Sequence, residues 1–200
     1  METAISETSW QAVQQDPPRK RWTRSECEVI EATGLFDQDR VELIDGELIS
    51  KMGKKRPHVN VGTRLLAWLF LVFGDDYVNS EAPIDVAPED NPTNEPVPDM
   101  IVLKRDSGYL ATTPQPRDLE LVVEVAYTSL SFDLTVKAAS YARAGIVEYW
   151  VLDIAAHRLI VHRDPRDGYY RSILTYSAEE SVAPLAAPNS AFRVGDAFPA

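Results

Sequence analysis

Acidic and basic side chains that could support hydrolytic metal chemistry occur at three places in the chain. Asp99 follows Pro98 at the head of a short apolar run, Glu124 lies near the end of the run of strand formers at 119–125, and Lys137 stands on the segment that follows. Phosphodiester hydrolysis needs carboxylates that hold one or two Mg²⁺ ions, because the metal lowers the pKa of a bound water and neutralises charge on the phosphate. A nearby ammonium can orient that water or stabilise the developing negative charge. Adjacent strands whose ends meet would bring Asp99 and Glu124 close enough to share one cation.

The stretch at 118–153 must position two of these groups. It contains a run of strand formers, a polar turn at 128–131, a helical segment that Gly145 closes, and a second apolar run at 147–152. This order predicts a strand–helix–strand crossover, in which the two strands lie parallel and side by side.

Glu42 lies on a predicted β-hairpin. Strand-forming runs at 41–44 and 47–49 flank Asp45-Gly46, which is the preferred pair for a type I′ turn. Successive side chains of a strand point to opposite faces, so Glu42 and Ile44 lie on the same face. This carboxylate is therefore expected either at a solvent-exposed end of the strand or in a pocket.

The rest of the chain predicts one domain over residues 22–200, preceded by a disordered or draped arm at 1–21. The arm carries two consecutive prolines and no apolar period. The remaining predicted elements are a helix at 26–33 behind a capping box of Thr23 and Glu26, a helix from Pro57 to about Phe73, strands at 77–86 and 99–103, and a strand pair at 158–163 and 169–176.

A basic cluster connects the hairpin to the helix that starts at Pro57. It consists of Lys51, Lys54, Lys55 and Arg56, and His58 follows in the first turn of the helix. These side chains could contact a nucleic-acid backbone, and such phosphate contacts would make binding fall with salt. The alternative is an ordinary solvated loop, with the histidine as a cap or a packed surface residue.

Composition limits the choice of function. The formal net charge is −11, which argues against broad electrostatic capture of nucleic acid. No apolar run approaches the roughly 20 residues that span a bilayer, so no membrane partner is expected. The single cysteine, Cys27, excludes an intramolecular disulfide and fits a reducing cytoplasm. The polar N-terminus is typical of neither a signal peptide nor a transit peptide.

Each candidate residue also has an alternative structural interpretation. Asp99 could simply be a turn residue, and Glu124 could lie on the surface of an edge strand. Asp133 and Lys137 have the spacing of an exposed helical salt bridge. Tyr141, one turn beyond Lys137, is more typical of a core position than of a catalytic one.

Five blocks of the sequence resemble the Uma-two family of restriction-endonuclease-like proteins, which belongs to the PD-(D/E)xK nuclease superfamily. They are VELIDGELI at 41–49, the helix start at His58, EPVPDMIVL at 95–103, LVVEV at 121–125 and DLTVKAASYARAGIVEYWVLD at 133–153. The resemblance covers about residues 22–175. It implies an α/β fold with a restriction-endonuclease-like core, in which a central mixed β-sheet is flanked by helices, together with the N-terminal helix and β-hairpin.

The resemblance also implies an activity, which is cleavage of DNA that depends on Mg²⁺, with Mn²⁺ as a substitute. Asp99, Glu124 and the backbone carbonyl of Val125 would be the metal ligands, and Glu42 would be an accessory acid. Lys137 would orient water or stabilise the transition state.

One residue departs from the general nuclease motif. The lysine expected two residues after the strand acid is Ala126 here, and in this family a lysine on the following helix takes that role, at the place where Lys137 stands. The basic cluster and His58 would contact DNA. A homodimer is expected, because cleavage of a duplex needs two sites and the chain offers one. Two alternatives stay open, a nuclease-fold module without catalysis and a metal-dependent hydrolase of a non-nucleic substrate.

Overall fold

The computed structural model describes residues 18–36, 39–51, 55–105 and 110–199. Its α-helices are α1 (Arg24–Glu31), α2 (Arg56–Phe73), α3 (Leu130–Phe132) and α4 (Ala138–Arg143), with a π-helical turn at Asp133–Lys137. Its strands are β1 (Val41–Ile44), β2 (Glu47–Ser50), β3 (Val78–Ser80), β4 (Met100–Leu103), β5 (Leu119–Ala126), β6 (Glu148–Asp153), β7 (Arg158–Arg166), β8 (Tyr169–Ser177), β9 (Ser181–Val182) and β10 (Phe192–Arg193). Short 3₁₀ turns lie at Asp75–Tyr77, Asn91–Thr93, Pro116–Asp118 and Val194–Ala197.

A mixed sheet forms the centre of the fold, as predicted. Its six described strands have the order β3-β4-β5-β6-β7-β8. Strands β5 and β6 pair in parallel, whereas the other described neighbours in this sheet are antiparallel. The helical stretch at 130–143 joins β5 to β6, so the predicted crossover is confirmed.

Two hydrophobic layers cover the two faces of this sheet. On one face α2 and the C-terminal segment pack on alternate residues of β5, and on the other face the helix after β5 does so. Residues of the first layer include Val61, Leu65, Leu69, Val123, Val125, Trp150 and Phe192; residues of the second include Val122, Ala126, Ala138, Tyr141, Tyr149 and Val151. Glu124 lies between Val122 and Ala126 in the alternation of β5, so it faces the second layer, towards the crossover helix.

The hairpin of β1 and β2 confirms the sequence prediction. Asp45 and Gly46 have φ values of 48° and 74°, as a type I′ turn requires. The hairpin is joined to the loop before β4 by reciprocal backbone hydrogen bonds of Leu43 with Glu95. This junction places Glu42 beside the start of β4.

The strand predicted at 77–86 was wrong beyond its first residues, since β3 ends at Ser80. Glu81 has a φ of 54°, which turns the chain away from a regular extended path. The Glu81 amide still donates to the Asp99 carbonyl, and the Ile84 amide donates to the Pro96 carbonyl. The segment therefore runs alongside the approach to β4 without continuing the sheet.

The predicted arm falls mostly outside the described residues. In its described part, Arg21 donates to the Asp45 carbonyl and pairs with Glu47 at 2.9 Å. The capping box of Thr23 and Glu26 is present at the start of α1, as predicted. Within the described ranges, no helix combines the length and apolar character needed to cross a membrane.

Candidate active site

Asp99 and Glu124 meet where β4 begins and β5 approaches its end. Met100 pairs with Val123, and the antiparallel register extended by one residue places Asp99 opposite Glu124. Both side chains are buried, at 4% and 3% exposure. The two carboxylates predicted from sequence are therefore brought together by strand pairing.

Asp99 is held by the strand that it faces. Its Oδ2 accepts the Val125 amide at 2.8 Å and lies 3.2 Å from Nε2 of His58. The residue that the register would place opposite Val125 is Pro98, which lacks an N–H group, and β4 does not extend that far. The carbonyl of a strand residue faces the same side as its amide, so the Val125 carbonyl also faces this end of β4.

Lys137 lies among three carboxylates. Its Nζ is 2.8 Å from Oε1 of Glu42, 2.8 Å from Oε1 of Glu124 and 4.0 Å from Oδ1 of Asp133. The Lys137 side chain is only 3% exposed. The interpretation of Asp133 and Lys137 as an exposed helical salt bridge was wrong, because the helix turns both side chains towards the sheet.

Negative charge exceeds positive charge in this cluster. Among the described residues, the buried side chains gathered here are Glu42, Asp99, Glu124, Asp133 and Lys137, which are four acids and one base. Burial raises the pKa of Glu124 to about 8, although Lys137 lowers it; the charge of Asp99 adds to the rise. Burial also raises the pKa of Asp133. The pKa of Lys137 lies well above its usual range, because the attraction of Glu124 and Glu42 outweighs the effect of burial.

A π-helical turn presents Asp133 and Lys137 to the cluster. The Ala138 amide donates to the Asp133 carbonyl, five residues back. The Tyr149 hydroxyl donates to the same carbonyl at 3.1 Å, and the Ser129 hydroxyl donates to Oδ2 of Asp133 at 2.6 Å. Such widened turns occur frequently at functional sites. Here the turn is anchored to β6 and to the loop after β5.

The hairpin completes the cluster from the other side. Oε2 of Glu42 accepts the Val97 amide at 3.1 Å, and the Lys51 ammonium donates to the Val97 carbonyl. Glu42 and Lys51 therefore fix the approach to Asp99, while Glu42 also contacts Lys137. Of the two positions expected for Glu42, the structure shows the pocket.

A cavity of about 250 Å³ opens onto these groups. Of the residues predicted from sequence, it is lined by Glu42, Lys51, Lys55, His58, Asp99, Glu124, Val125 and Lys137. Arg56 is exposed and does not line the cavity, and Lys54 lies outside the described residues. Sequence reasoning missed Arg40, Tyr127 and Phe132, which also line it. The position of Tyr127 directly after an otherwise buried strand was the available signal.

The carboxylate and carbonyl oxygens at the cavity are of the kind that bind a hard divalent cation. Carboxylate and carbonyl oxygens are the ligands that Mg²⁺ prefers. Oε2 of Glu124 accepts no hydrogen bond from any residue that the structure describes. Within the described ranges, no three His, Cys, Asp or Glu side chains stand together as a metal-ligand group. Metal ligation by Asp99, Glu124 and Val125 thus stays a prediction.

Comparison with known proteins gives the family. The model of the Uma2 family, described as "Putative restriction endonuclease", matches residues 28–195. The chain belongs to the Uma2 family. No curated protein matches the chain. The predicted family is therefore confirmed, and with it the assignment to a group of nuclease type.

A solved structure has the same fold as this Uma2 chain. It is the crystal structure of "a putative nuclease belonging to DUF820" from Anabaena variabilis. The two sequences are 15% identical, the match covers 80% of this chain and 90% of the other, and the TM-score is 0.64. The predicted restriction-endonuclease-like α/β fold, with a mixed sheet between helices, is confirmed.

Proposed function

We propose that this chain is a DNA endonuclease that hydrolyses phosphodiester bonds with the help of a divalent metal. The observation that carries the proposal is the buried cluster of four acids and one base at the bottom of the cavity. Uncompensated buried carboxylates are unfavourable, and a bound cation relieves the excess of negative charge. Membership of the Uma2 family supports the same reaction class.

The metal would be held by the carboxylates of Asp99 and Glu124 and by the Val125 carbonyl. Mg²⁺ would be the natural ion, and Mn²⁺ would substitute for it because both prefer oxygen ligands. When bound, the ion would supply an activated water and neutralise charge on the phosphate. The amide of Val125 holds Asp99 in place for this role.

Lys137 and Glu42 would act as a pair next to the metal ligands. The Lys137 ammonium would orient the attacking water or stabilise the charge that develops on the phosphate. Glu42 holds this ammonium at 2.8 Å, which limits its movement and keeps it next to Glu124. Glu42 is therefore proposed as the accessory acid of the site.

The substrate would approach across the local cations at the cavity. Lys51, Lys55 and His58 line it, and Lys54 and Arg56 belong to the same basic cluster in the sequence. These groups are the proposed contacts to the DNA backbone. The net charge of −11 means that phosphates are attracted only where such cations gather.

If the substrate is a duplex, we propose that the protein acts on it as a homodimer. Cutting both strands needs two sites, and the described residues of one chain gather a single cluster of this kind. Two copies would supply the second site. Sedimentation of the protein with and without duplex DNA measures this directly, and a strictly monomeric complex would contradict it.

Titration of Mn²⁺ by calorimetry tests the metal site first. Wild type is compared with Asp99→Asn and Glu124→Gln, which keep side-chain size but remove charge. Glu148→Gln is the matched control, since Glu148 is a buried acid on the neighbouring strand that does not line the cavity. We expect one strong site in wild type and in the control, and loss of at least about tenfold in affinity in the other two variants.

The results also separate the two alternative functions. Absence of Mn²⁺ binding both with and without DNA would overturn the proposal and favour a nuclease-fold module without catalysis. Metal binding combined with cleavage of non-nucleic esters, but not of DNA, would favour a hydrolase of another substrate. Cleavage of DNA that Asp99→Asn and Glu124→Gln both abolish would establish the proposed reaction.

A further inference from the structure

Tyr127 is an exposed aromatic side chain at the mouth of the cavity. It follows directly after β5 and lies three residues beyond Glu124. Its exposure is 42%, although the eight residues of β5 are buried or half-buried. Tyr127 lines the same cavity as Asp99 and Glu124. An apolar ring at this place has no role in the core and is available to a ligand.

A lysine accompanies this ring. Nζ of Lys55, at the start of α2, lies 5.6 Å from the ring centroid of Tyr127, and both side chains are exposed. Sites that bind single-stranded nucleic acid combine the same two groups, an aromatic surface for a base and a cation for the adjoining phosphate. A base that is paired inside a duplex has its faces covered by its neighbours and cannot stack on a side chain.

The charge of the protein makes such stacking important. With a net charge of −11, this chain cannot obtain high affinity from a wide basic surface. Stacking of a base on an aromatic ring requires no charge and is independent of base identity. It would therefore supply affinity beside a cluster of carboxylates that repels phosphate.

We infer that Tyr127, with Lys55 beside it, is the binding surface for an unpaired base next to the cleaved phosphodiester. The substrate class is then DNA whose bases are accessible at the site, such as single strands, ends or bulges, and the unperturbed duplex is a poor substrate. This inference rests on the proposed function for the position of the phosphodiester, and it adds the specificity of the site.

Binding of a labelled oligonucleotide, followed by fluorescence anisotropy, tests the inference. The same sequence is offered as a single strand and annealed to its complement, both in EDTA and with Mn²⁺, and a denaturing gel checks its length. We expect wild type to prefer the single strand. Tyr127→Ala should weaken single-strand binding at least about fivefold, and Tyr127→Phe should retain it within about twofold.

Two control variants make the result specific. Tyr169→Ala removes a tyrosine that is 69% exposed but lies on β8 and does not line the cavity, so single-strand binding should not change. Lys55→Gln should make the salt dependence shallower, by roughly 0.7 in the slope of the logarithms, through loss of one phosphate contact. Equal binding of the single strand by Tyr127→Ala and wild type would overturn the inference, as would a wild-type preference for the duplex.

Failure of this inference differs from failure of the proposed function. Tyr127→Ala should bind Mn²⁺ as wild type does, because Tyr127 is not one of the proposed metal ligands and does not belong to the ion-pair cluster around Lys137. If Tyr127→Ala bound single strands and cleaved DNA as wild type does, with the same dependence on metal, the inference would be wrong and the proposed nuclease function would be unaffected. Single-strand binding that requires Tyr127, in a protein without a metal site, would support the inference alone.

Discussion

Two buried glutamates on neighbouring strands have very different surroundings. Glu148, on β6, is fully buried, and its Oε1 accepts hydrogen bonds from Arg163 and from Nε1 of Trp150 at 2.8 Å. Its Oε2 accepts the Leu185 amide at 2.7 Å. One acid therefore faces one base, and both carboxylate oxygens are hydrogen-bonded. A buried carboxylate in this arrangement is compensated by the protein itself.

Glu124, on β5, lacks this balance. It shares the Lys137 ammonium with Glu42 and Asp133, and its hydrogen bond from Tyr141 is long, at 3.4 Å. It also faces the cavity, whereas Glu148 does not line it. Glu148 therefore belongs to a structural ion pair, whereas Glu124 belongs to a cluster with more acids than bases. Burial alone does not distinguish them; the ratio of acids to bases and access to the cavity do.

Removal of the base beside each glutamate should have the largest effects on stability. Lys137→Met removes the cation that Glu42, Glu124 and Asp133 share, and we expect it to lower the free energy of unfolding by about 5 kcal/mol above pH 8, where Glu124 is ionised as well. Arg163→Met leaves one acid that still accepts bonds from Trp150 and Leu185, and the Arg163 side chain is 21% exposed, so a loss of about 3 kcal/mol is expected. Urea denaturation measures both values.

The loss of stability in the two variants should also depend differently on pH and on Mn²⁺. Burial raises the pKa of Glu124 and of Asp133, so both are protonated at acidic pH and the loss of stability in Lys137→Met should shrink there. Mn²⁺ should restore part of its stability, because the ion compensates the same acids, and it should have no such effect on Arg163→Met. Equal responses of the two variants to Mn²⁺ would contradict the distinction between the two regions.

The two glutamates should also respond differently to a neutral isostere. Glu148→Gln removes charge-assisted bonds and is expected to lower the free energy of unfolding by about 1–3 kcal/mol. Glu124→Gln should have little effect near pH 5 and should stabilise the protein above pH 8. The reason is that Lys137 keeps Glu42 as a partner, while the unfavourable buried charge disappears.

The direction of the pH effect follows from the raised pKa of Glu124. The pKa of Glu124 is about 8 in the folded protein and 4.5 for an unperturbed glutamate, so between pH 4.5 and pH 8 the folded state holds the proton more tightly than the unfolded state does. The contribution of Glu124 to stability is therefore complete below pH 4.5 and falls as the pH rises to about 8, by at most about 1.4 kcal/mol per pH unit. Chemical denaturation over this window should show a steeper fall of stability with pH in wild type than in Glu124→Gln, which keeps only the contributions of other buried acids such as Asp133.

Sequence reasoning identified the two strands and the acids on them because their signals are local. The apolar run ending in Glu124, the Asp45-Gly46 turn and the crossover at 118–153 each follow from residue type and spacing. The opposition of Asp99 and Glu124 then follows from the pairing of β4 and β5. The family resemblance strengthened the proposed role of Lys137, because it accounts for a lysine on the helix in place of one two residues after the strand acid.

Other parts of the cluster depend on tertiary contacts that spacing does not reveal. Asp133 and Lys137 have the spacing of a surface ion pair, and only the packing of the crossover helix on the sheet buries them. The widened turn between them depends on the Tyr149 hydroxyl from β6. Glu42 could have been solvated, and its position is decided by the bond to the Val97 amide, 55 residues away in the sequence.

The smallest predicted effect concerns two buried tyrosines, one in each setting. The Tyr141 hydroxyl donates to Oε1 of Glu124 at 3.4 Å, whereas the Tyr170 hydroxyl donates to the Ile146 carbonyl at 2.9 Å. Tyr170→Phe leaves a buried carbonyl without this bond and should lower the free energy of unfolding by about 1 kcal/mol. Tyr141→Phe should lower it by about 0.5 kcal/mol, because the bond is long and Lys137 still holds the same oxygen.

Activity assays on the same variants decide the role of Tyr141. As a core residue it should be replaceable by phenylalanine with less than about a twofold change in the rate of metal-dependent cleavage, since removing one long hydrogen bond shifts a barrier by well under 1 kcal/mol. A fall of a hundredfold or more without loss of stability would instead place the hydroxyl in the reaction. Tyr170→Phe controls for general effects of losing a buried hydroxyl, because its hydroxyl donates to the Ile146 carbonyl and not to Glu124. Comparison of Tyr141→Phe with Tyr170→Phe therefore shows whether Tyr141, one turn beyond Lys137, takes part in the reaction or only packs in the core.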